Sequence, residues 1–244
     1  TSLKPKEEIY TPEFHLLPRR LGAVENYLEA LTQVPLLHFL LNGVIVTAAI
    51  FALQVLINVP AAYALAKLRF RGRTTLFGAV LVCLLIPYQA TALPIYIRFH
   101  WLGLLNSYAA LILPFTISVF GIFLMRQFFR NVPDDLVDAA RMDGISEFGI
   151  VWRVILPAAI PTVTAFGIFS VVAHWNDLYW PLIVINNSAL ATPPLGMMLF
   201  ADAESGSNYG VLMAAAAMLT APLVGAFLLA RRRFIAGVTM GGGK

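Results

Sequence analysis

Long apolar segments alternate with shorter polar ones along most of this chain. A helix crosses the hydrocarbon core of a membrane with about 20 residues. Five apolar segments are of about that length or longer: residues 36–66, 75–97, 108–128, 157–185 and 209–230. The pattern therefore predicts an all-α polytopic membrane protein with five transmembrane helices. Residues 186–208, rich in Ser, Ala, Pro and Gly, are predicted to form a loop.

One polar stretch, residues 129–157, separates the third and fourth apolar segments. It carries the carboxylates Asp134, Asp135, Asp138, Asp143 and Glu147. Each charge costs about 2.5–3.5 kcal/mol at the centre of a membrane helix, so the stretch is predicted to lie in water. Residues 1–35 are predicted to form an extracytoplasmic loop with a short helix. Residues 36–230 form the transmembrane domain, and residues 231–244 form a cytoplasmic tail.

Composition and charge agree with a membrane location. Hydrophobic residues make up 59% of the chain and charged residues only 12%, with a mean hydropathy of +0.77, whereas a soluble domain carries about 25% charged residues. The net charge of +4 arises from short basic clusters between apolar segments, such as residues 67–73 and 231–233. Clusters in such positions set membrane orientation, so no nucleic-acid partner is predicted.

The distribution of Lys and Arg predicts a cytoplasmic C-terminus. In that orientation twelve of the 17 basic residues lie on the cytoplasmic side, in keeping with the positive-inside rule. Five spans then place the N-terminus outside, although the chain opens with no export signal. We therefore expect one further transmembrane helix before Thr1, the sixth of the native protein.

Turn and cap residues divide the polar stretch into two short helices. Pro133 followed by two aspartates is typical of a helix start, and Gly144 suits the left-handed position after a helix end. Ser146 can cap a second helix. The apolar residues of that helix recur at helical spacing: Phe148, Val151, Trp152 and Ile155. Such a stripe either docks a partner or packs on the protein's own helices and the lipid interface, and spacing alone leaves both open.

The polar stretch also carries a spaced motif. Asp138-Ala139-Ala140 is followed at fixed distances by Gly144, Val154 and Leu156-Pro157. This pattern resembles the Glu-Ala-Ala loop in the membrane subunits of bacterial ABC importers, with Asp138 in place of Glu and Val154 in place of Ile. Three flanking segments resemble the carbohydrate-importer permeases of the maltose-transporter type, specifically the second permease subunit: Arg126–Phe129, Trp175–Ile183 and Arg233–Thr239.

The resemblance implies a function and partners. The chain would be the permease subunit of an ATP-driven importer in the bacterial inner (cytoplasmic) membrane, carrying a sugar or a sugar-like solute such as a polyol or a glycerol-phosphate-type compound. Its partners would be a homologous permease, two ATPase subunits, an extracytoplasmic substrate-binding protein and membrane lipid. The residues expected to couple to the ATPase are Asp138, Ala139, Ala140, Asp143, Gly144, Phe148, Val151, Trp152, Leu156 and Pro157.

No catalytic motif accompanies these segments. The chain has no Gly-x-x-x-x-Gly-Lys-Ser/Thr sequence, which excludes ATP hydrolysis by a P-loop in this chain. The four histidines are scattered and the one cysteine, Cys83, lies in an apolar run, so no metal site is predicted. ATP and magnesium are expected in the partner ATPase. This chain is expected to hold no cofactor and to be a transport subunit rather than an enzyme.

Polar residues inside the apolar segments are the candidates for the solute path, because ionisable groups within a membrane are rare and usually face a cavity. Amides and carboxylates can hydrogen-bond a sugar-like solute, and Trp or Tyr rings can stack on it. The candidates are Trp175, Asn176, Asp177, Tyr179, Gln89 and Asn42, with His174 beside them. Each amide can instead bridge two helices.

An alternative function is that of a self-contained secondary carrier or channel. Such a protein would be expected to have an ion-coupling acid deep in a span or an internal inverted repeat. Asp177 is the only carboxylate within a predicted span, and no clear repeat is present. A membrane enzyme is a third possibility, but the sequence contains no set of residues typical of a catalytic site.

Overall fold

Helices form the regular structure of the described chain. The computed structural model describes residues 1–9, 18–33, 35–204 and 208–240, and no β-strand occurs among them. The helices are α1 (Lys6–Ile9), α2 (Ala23–Gln33), α3 (Leu36–Lys67), α4 (Arg73–Cys83), α5 (Tyr88–Trp101), α6 (Tyr108–Ile112), α7 (Val119–Asn131), α8 (Asp134–Met142), α9 (Glu147–Ile150), α10 (Leu156–Ala158), α11 (Ile160–Trp175), α12 (Tyr179–Val184), α13 (Pro193–Glu204) and α14 (Tyr209–Met240). A π-helical turn, Val151–Ile155, joins α9 to α10.

Two single helices and three bent pairs are candidates for membrane spans by length and composition. In the described part of the chain, α3 and the Tyr209–Leu228 portion of α14 are each long and apolar enough to cross a membrane. The bent pairs are Arg73–Cys83 with Tyr88–Trp101, Tyr108–Phe115 with Val119–Asn131, and Glu147–Ala158 with Ile160–Trp175. Counting each pair as one span gives up to five spans. The predicted all-α polytopic architecture is therefore confirmed.

Proline explains where the predicted spans differ from the observed ones. The predicted second span is continuous, whereas α4 and α5 meet at 96°. Pro87 lies in this break with an extended backbone, and a proline disfavours helical conformation in the residue before it. The predicted fourth span, residues 157–185, is too long, because α11 ends at Trp175. Asn176 and Asp177 lie in the gap before α12.

The predicted loop 186–208 contains a helix, α13, instead. This helix begins at the Pro193-Pro194 pair, where proline fits because the first N–H groups of a helix have no intrahelical partner. α13 packs so closely on α3 that a Cβ added to Gly196 would lie 2.2 Å from Cδ2 of Phe39. Proline and glycine therefore mark a helix start and a close helix contact here.

The ends of the chain only partly follow the predicted boundaries. Asn26 of α2 fastens the N-terminus, because its Nδ2 donates hydrogen bonds to the carbonyl oxygens of Ser2 and Lys4 at 2.9 and 2.8 Å. At the other end, α14 continues past the predicted boundary at residue 230 to Met240. Residues 10–17 of the predicted N-terminal loop and residues 241–244 of the predicted tail lie outside the described residues.

Helix α3 runs through both hydrophobic cores of the bundle. Its first half contributes residues such as Ile50 to a core that contains Trp180. Its second half contributes Tyr63 to another core, which contains Phe129 and Ile155. The second core includes part of the polar stretch, so α3 packs against that stretch directly.

Asn42 joins the first half of α3 to the segment before α13. Its side chain is completely buried, and its Nδ2 donates hydrogen bonds to the carbonyl oxygens of Ala189 and Ala191 at 2.9 and 3.0 Å. Its Oδ1 accepts a hydrogen bond from the Tyr108 hydroxyl at 2.6 Å. Asn42 was a candidate for the solute path, but in the structure its amide is fully used to bridge elements.

We predict that Asn42→Leu lowers the thermal unfolding midpoint of the purified protein in detergent. The variant removes three hydrogen bonds, one of them to the carbonyl oxygen of the buried Ala191, at a cost of about 1–3 kcal/mol in the free energy of unfolding. Tyr108→Phe removes only one of the three, so its midpoint is expected to lie between those of the wild type and Asn42→Leu. An unchanged midpoint for Asn42→Leu would contradict the bridging role.

Candidate functional site

The polar stretch folds into the two short helices that its cap residues predict. Helix α8 follows Pro133 and has aspartates in its first turn. Gly144 adopts φ +75°, a left-handed conformation that costs a residue with a Cβ about 1–2 kcal/mol. The Oγ of Ser146 then accepts a hydrogen bond from the Gly149 N–H at 3.2 Å. Residues 133–157 are called the coupling segment below.

Lys67, the last residue of α3, fastens the start of the coupling segment. Its Nζ donates hydrogen bonds to the Val132 carbonyl oxygen and to Oδ1 of Asp134, both at 2.5 Å. Only 6% of the Lys67 side chain is exposed, against 79% for Asp134. The hydrogen bond from Lys67 holds the pKa of the Asp134 carboxyl below its usual value, so this carboxylate stays ionised at neutral pH.

A second attachment joins α3 to both helices of the coupling segment through Glu147. The Tyr63 hydroxyl donates to Oε2 of Glu147 at 2.6 Å, and Nε of Arg141 donates to Oε1 at 2.8 Å. These two hydrogen bonds, the one from Arg141 foremost, keep the pKa of Glu147 below its usual value. Nη1 of Arg141 also donates to Oδ1 of Asp138 at 2.8 Å. The acid of the Asp138-Ala139-Ala140 motif is therefore held within the segment.

The predicted apolar stripe of the coupling segment is divided between two roles. Val151 and Ile155 are 3% and 0% exposed and belong to the second core. Phe148 is 65% exposed, and its ring packs edge-on against the half-buried Trp152 with ring centroids 5.9 Å apart. Val151 thus supports the segment from within, whereas Phe148 lies on its outer surface.

The outer surface of the coupling segment contains most of the predicted coupling residues. Exposed positions are Asp138, Ala139, Asp143, Gly144, Phe148 and Pro157; Leu156 is half-buried, and Ala140 is buried. Leu136 and Met142 also lie on this surface, 45% and 89% exposed, and were not among the predicted residues. Leu136 directly precedes the buried Val137. Adjacent residues lie on different faces of a helix. The pair Leu136-Val137 therefore indicated that one of the two apolar side chains would be exposed.

An open cavity lies at the end of α11 that is remote from the coupling segment. Its volume is about 470 Å³, and its lining residues are Tyr88, Phe115, Ala173, His174, Asn176, Asp177, Leu178 and Tyr179. The Tyr88 hydroxyl donates to Oδ1 of Asp177 at 3.4 Å. The rings of Tyr88 and Tyr179 meet edge to face, with centroids 5.7 Å apart. A carboxylate, an amide and several rings around one cavity can hydrogen-bond and stack on a polar organic solute.

Three of the six predicted solute-path residues line this cavity, Asn176, Asp177 and Tyr179, and the neighbouring candidate His174 lines it as well. Trp175 lies outside it, because its ring is buried and its Nε1 donates to the Leu219 carbonyl oxygen at 3.2 Å. Gln89 is exposed but does not line the cavity, and Asn42 is buried in the packing described above.

Two rings of the cavity, Tyr88 and Phe115, were not predicted from the sequence. They come from the second and third predicted spans, and nothing in their sequence context shows which ring faces a cavity. Tyr88 directly follows Pro87, and a helix break at this proline was the one feature of the sequence that could have indicated a cavity near Tyr88. Among the described residues, no group of three or more His, Cys, Asp or Glu side chains is arranged to hold a metal ion.

Comparison of the sequence with known proteins identifies a family. Residues 58–237 match the family of the binding-protein-dependent transport system inner membrane component. An arabinooligosaccharides transport system permease protein of Halalkalibacterium halodurans is 36% identical over 203 residues, which cover 83% of this chain and 72% of that protein. An sn-glycerol-3-phosphate transport system permease protein of Rhizobium meliloti is 33% identical over 241 residues, covering 95% and 84%.

The fold also has a counterpart among solved structures. A chain of a bacterial ABC transporter involved in the import of the acidic polysaccharide alginate superposes with a TM-score of 0.83, covering 96% of this chain and 87% of that chain at 24% identity. The family match covers most of the chain, and the two relatives are named as permease proteins of transport systems. The chain therefore belongs to the inner membrane components of binding-protein-dependent transport systems, as a multi-pass permease subunit of an ABC importer.

Proposed function

We propose that this chain forms one half of the translocation path of an ATP-driven sugar importer, beside a homologous permease, with two ATPase subunits and an extracytoplasmic binding protein. One observation carries the proposal. The coupling segment is fixed to α3 through Lys67 and Tyr63, yet it presents Met142 and Phe148 to solvent. A segment that is anchored on one side and apolar on the other is suited to dock a partner.

The anchoring explains how movement of an ATPase would reach the solute path. A partner that binds Met142 and Phe148 moves the coupling segment as a unit, because the Glu147 network ties its two helices together. The bonds to Tyr63 and Lys67 then transmit the movement to α3, and rigid-body displacement of such helices is a common route to alternating access.

The surface that carries Met142 and Phe148 also indicates how the chain is oriented in the membrane. ATP is hydrolysed in the cytoplasm, so the coupling segment and the neighbouring end of α3 face that side. The basic cluster Lys67, Arg69, Arg71 and Arg73 at the end of α3 and the start of α4 agrees with the excess of positive charge expected there. Because α14 runs from an outer loop back through the bundle, the C-terminus is also cytoplasmic.

The cavity around Asp177 favours a neutral sugar or polyol as the solute. The amide of Asn176 and the carboxylate of Asp177 can bind hydroxyl groups, and Tyr179 offers a ring face. The two relatives are named for arabinooligosaccharides and for sn-glycerol-3-phosphate. A phosphorylated solute is the less favoured of these classes, because no Lys or Arg lines this described cavity and the Asp177 carboxylate would repel a phosphate.

Coupling is tested by the double variant Met142→Ala, Phe148→Ala. Loss of two apolar anchors from an interface is expected to lower ATP-driven sugar uptake by the complete transporter in proteoliposomes by about tenfold. Met213→Ala, which truncates an exposed methionine of α14, is the matched control and should keep wild-type uptake. Wild-type uptake by the double variant, or uptake driven by an ion gradient without ATP, would refute the proposal.

The attachment of α3 is tested by Tyr63→Phe, which removes only the hydroxyl bonded to Glu147. Loss of a hydrogen bond to a charged group costs about 1.5–3 kcal/mol, so the coupling segment should detach more readily. We expect sugar uptake per ATP hydrolysed to fall several-fold. Tyr96→Phe, at a half-buried tyrosine of α5, should leave this ratio unchanged. Equal sugar uptake per ATP hydrolysed in the two variants would show that the Tyr63–Glu147 hydrogen bond transmits no movement.

The solute path is tested by Asp177→Asn, which keeps the shape of the side chain and removes its charge. Uptake of a neutral sugar is expected to fall by about tenfold, because hydrogen bonds to a charged group are the stronger ones. The same variant should admit a phosphorylated solute better relative to the neutral sugar. ATP hydrolysis stimulated by the loaded binding protein serves as the internal control. Unaltered uptake and solute preference would place the path elsewhere.

A further inference from the structure

A second open basin, of about 460 Å³, lies where α3 turns into α4. It is separate from the cavity around Asp177, and it adjoins a cavity of about 580 Å³ that Arg69 and Arg73 share with residues of α8, including Asp134 and Asp138. Its lining includes Arg69, Arg73 and Arg126, together with the hydroxyl residues Thr74 and Thr75. Neither the coupling nor the solute path described above uses these side chains.

Arg126 is the buried one of the three arginines. It is 8% exposed, its Nε donates to the Leu65 carbonyl oxygen at 3.1 Å, and its Cζ lies 3.5 Å from the centroid of the Phe77 ring. Its Nη1 is buried and, within the described part of the chain, has no hydrogen-bond partner. A buried charged donor without an acceptor is costly. An acceptor supplied at this wall of the basin would therefore stabilise Arg126.

The other two arginines leave the charge of the basin unbalanced. Arg73 donates to the carbonyl oxygens of Leu68 and Ala66 at 3.1 and 3.0 Å, and Arg69 is exposed. Across the described ranges, no carboxylate lies within ion-pair distance of Arg69, Arg73 or Arg126. The basin therefore concentrates three positive charges without an ion pair; carbonyl oxygens and the Phe77 ring offset them, and the carboxylates of Asp134 and Asp138 lie in the adjoining cavity.

The start of α4 adds donors suited to an anion. Gly72 precedes this 11-residue helix with φ +86° and provides no side-chain cap. The first N–H groups of a helix have no intrahelical partner, and Thr74 and Thr75 belong to that turn. A helix start beside guanidinium groups matches the oxygens of a phosphate in both charge and geometry.

The apolar rim indicates which molecule carries the phosphate. Phe70, which lines the basin, is 42% exposed, and Leu76, in the first turn of α4, is 52% exposed. A free ion gains nothing from such side chains, whereas a lipid can place its headgroup in the basin and its acyl chains along α4. We propose that this basin binds the phosphate of an anionic phospholipid at the membrane surface.

The test measures lipid retention by the complete transporter. The protein is reconstituted into nanodiscs of equal parts phosphatidylglycerol and phosphatidylcholine, and native mass spectrometry gives the ratio of the two lipids that remain bound. Arg69→Gln is expected to lower the retained ratio of phosphatidylglycerol to phosphatidylcholine by about tenfold. Thr75→Val, which alters no charge, should lower it less. Arg71→Gln is the matched control: it removes the same charge two residues away, but Arg71 does not line the basin.

The control separates a built site from general attraction between a basic loop and an anionic surface. A ratio lowered by Arg69→Gln but kept within about twofold by Arg71→Gln supports the lipid site. Equal losses in the two variants, or no preference in the wild type, overturn it. A second arm measures the thermal midpoint in phosphatidylcholine alone with inorganic phosphate at constant ionic strength. In one outcome, inorganic phosphate raises the midpoint of the wild type but not that of Arg69→Gln, while neither lipid is preferentially retained. That result would overturn the lipid site and assign the basin to free phosphate.

Discussion

A polar group inside a membrane bundle must find a partner within the protein, because hydrocarbon offers none. Gln54 shows how α3 meets this requirement near its middle. Its Nε2 donates to the Phe115 carbonyl oxygen at 2.8 Å, and its Oε1 accepts from the Ser170 hydroxyl at 2.6 Å. The bent span that contains Phe115 and the helix α11 are thereby fastened to one amide. Pairing of this buried amide thus joins two neighbouring elements to α3, whereas Nδ2 of Asn58, on the same helix, is buried without a partner in the described part of the chain.

Helix α3 is long enough to form such hydrogen bonds at widely separated levels of the bundle. Its 32 residues extend over about 48 Å, which exceeds the roughly 30 Å of hydrocarbon. One end of the helix therefore stands clear of the lipid core, and Lys67 and Tyr63 near that end hold the coupling segment. Asn42 and Gln54, farther along the same helix, hold elements near the cavity around Asp177. A single helix thus contacts both the segment proposed to dock an ATPase and the elements around the proposed solute path.

The sequence predicted local features well, since each depends on a few adjacent residues. The helix start after Pro133, the left-handed Gly144 and the Ser146 cap all follow from backbone chemistry. The helix breaks at Pro87 and after Trp175 were missed, because proline and polar residues also occur within membrane helices.

Partners distant in sequence could not be predicted in the same way. Trp175 and Tyr179 looked equally suited to stack on a solute, yet only Tyr179 lines the cavity. Spacing similarly placed Val151 and Phe148 on one stripe, but the surrounding helices cover Val151 and leave Phe148 exposed. Periodicity shows which residues share a face, whereas the element that covers this face is decided by the whole bundle.

The π-helical turn Val151–Ile155 has a consequence for the far end of α11. A π turn holds an extra residue compared with an α turn, and one extra residue rotates everything after it by about 100°. The chain then bends by 82° into α11, whose 16 residues span about 24 Å. The rotational phase of the chain that enters α10 and the bend is therefore set by five residues beside the surface proposed to meet the ATPase, and α11 carries the chain from that bend to Trp175, two residues before Asp177.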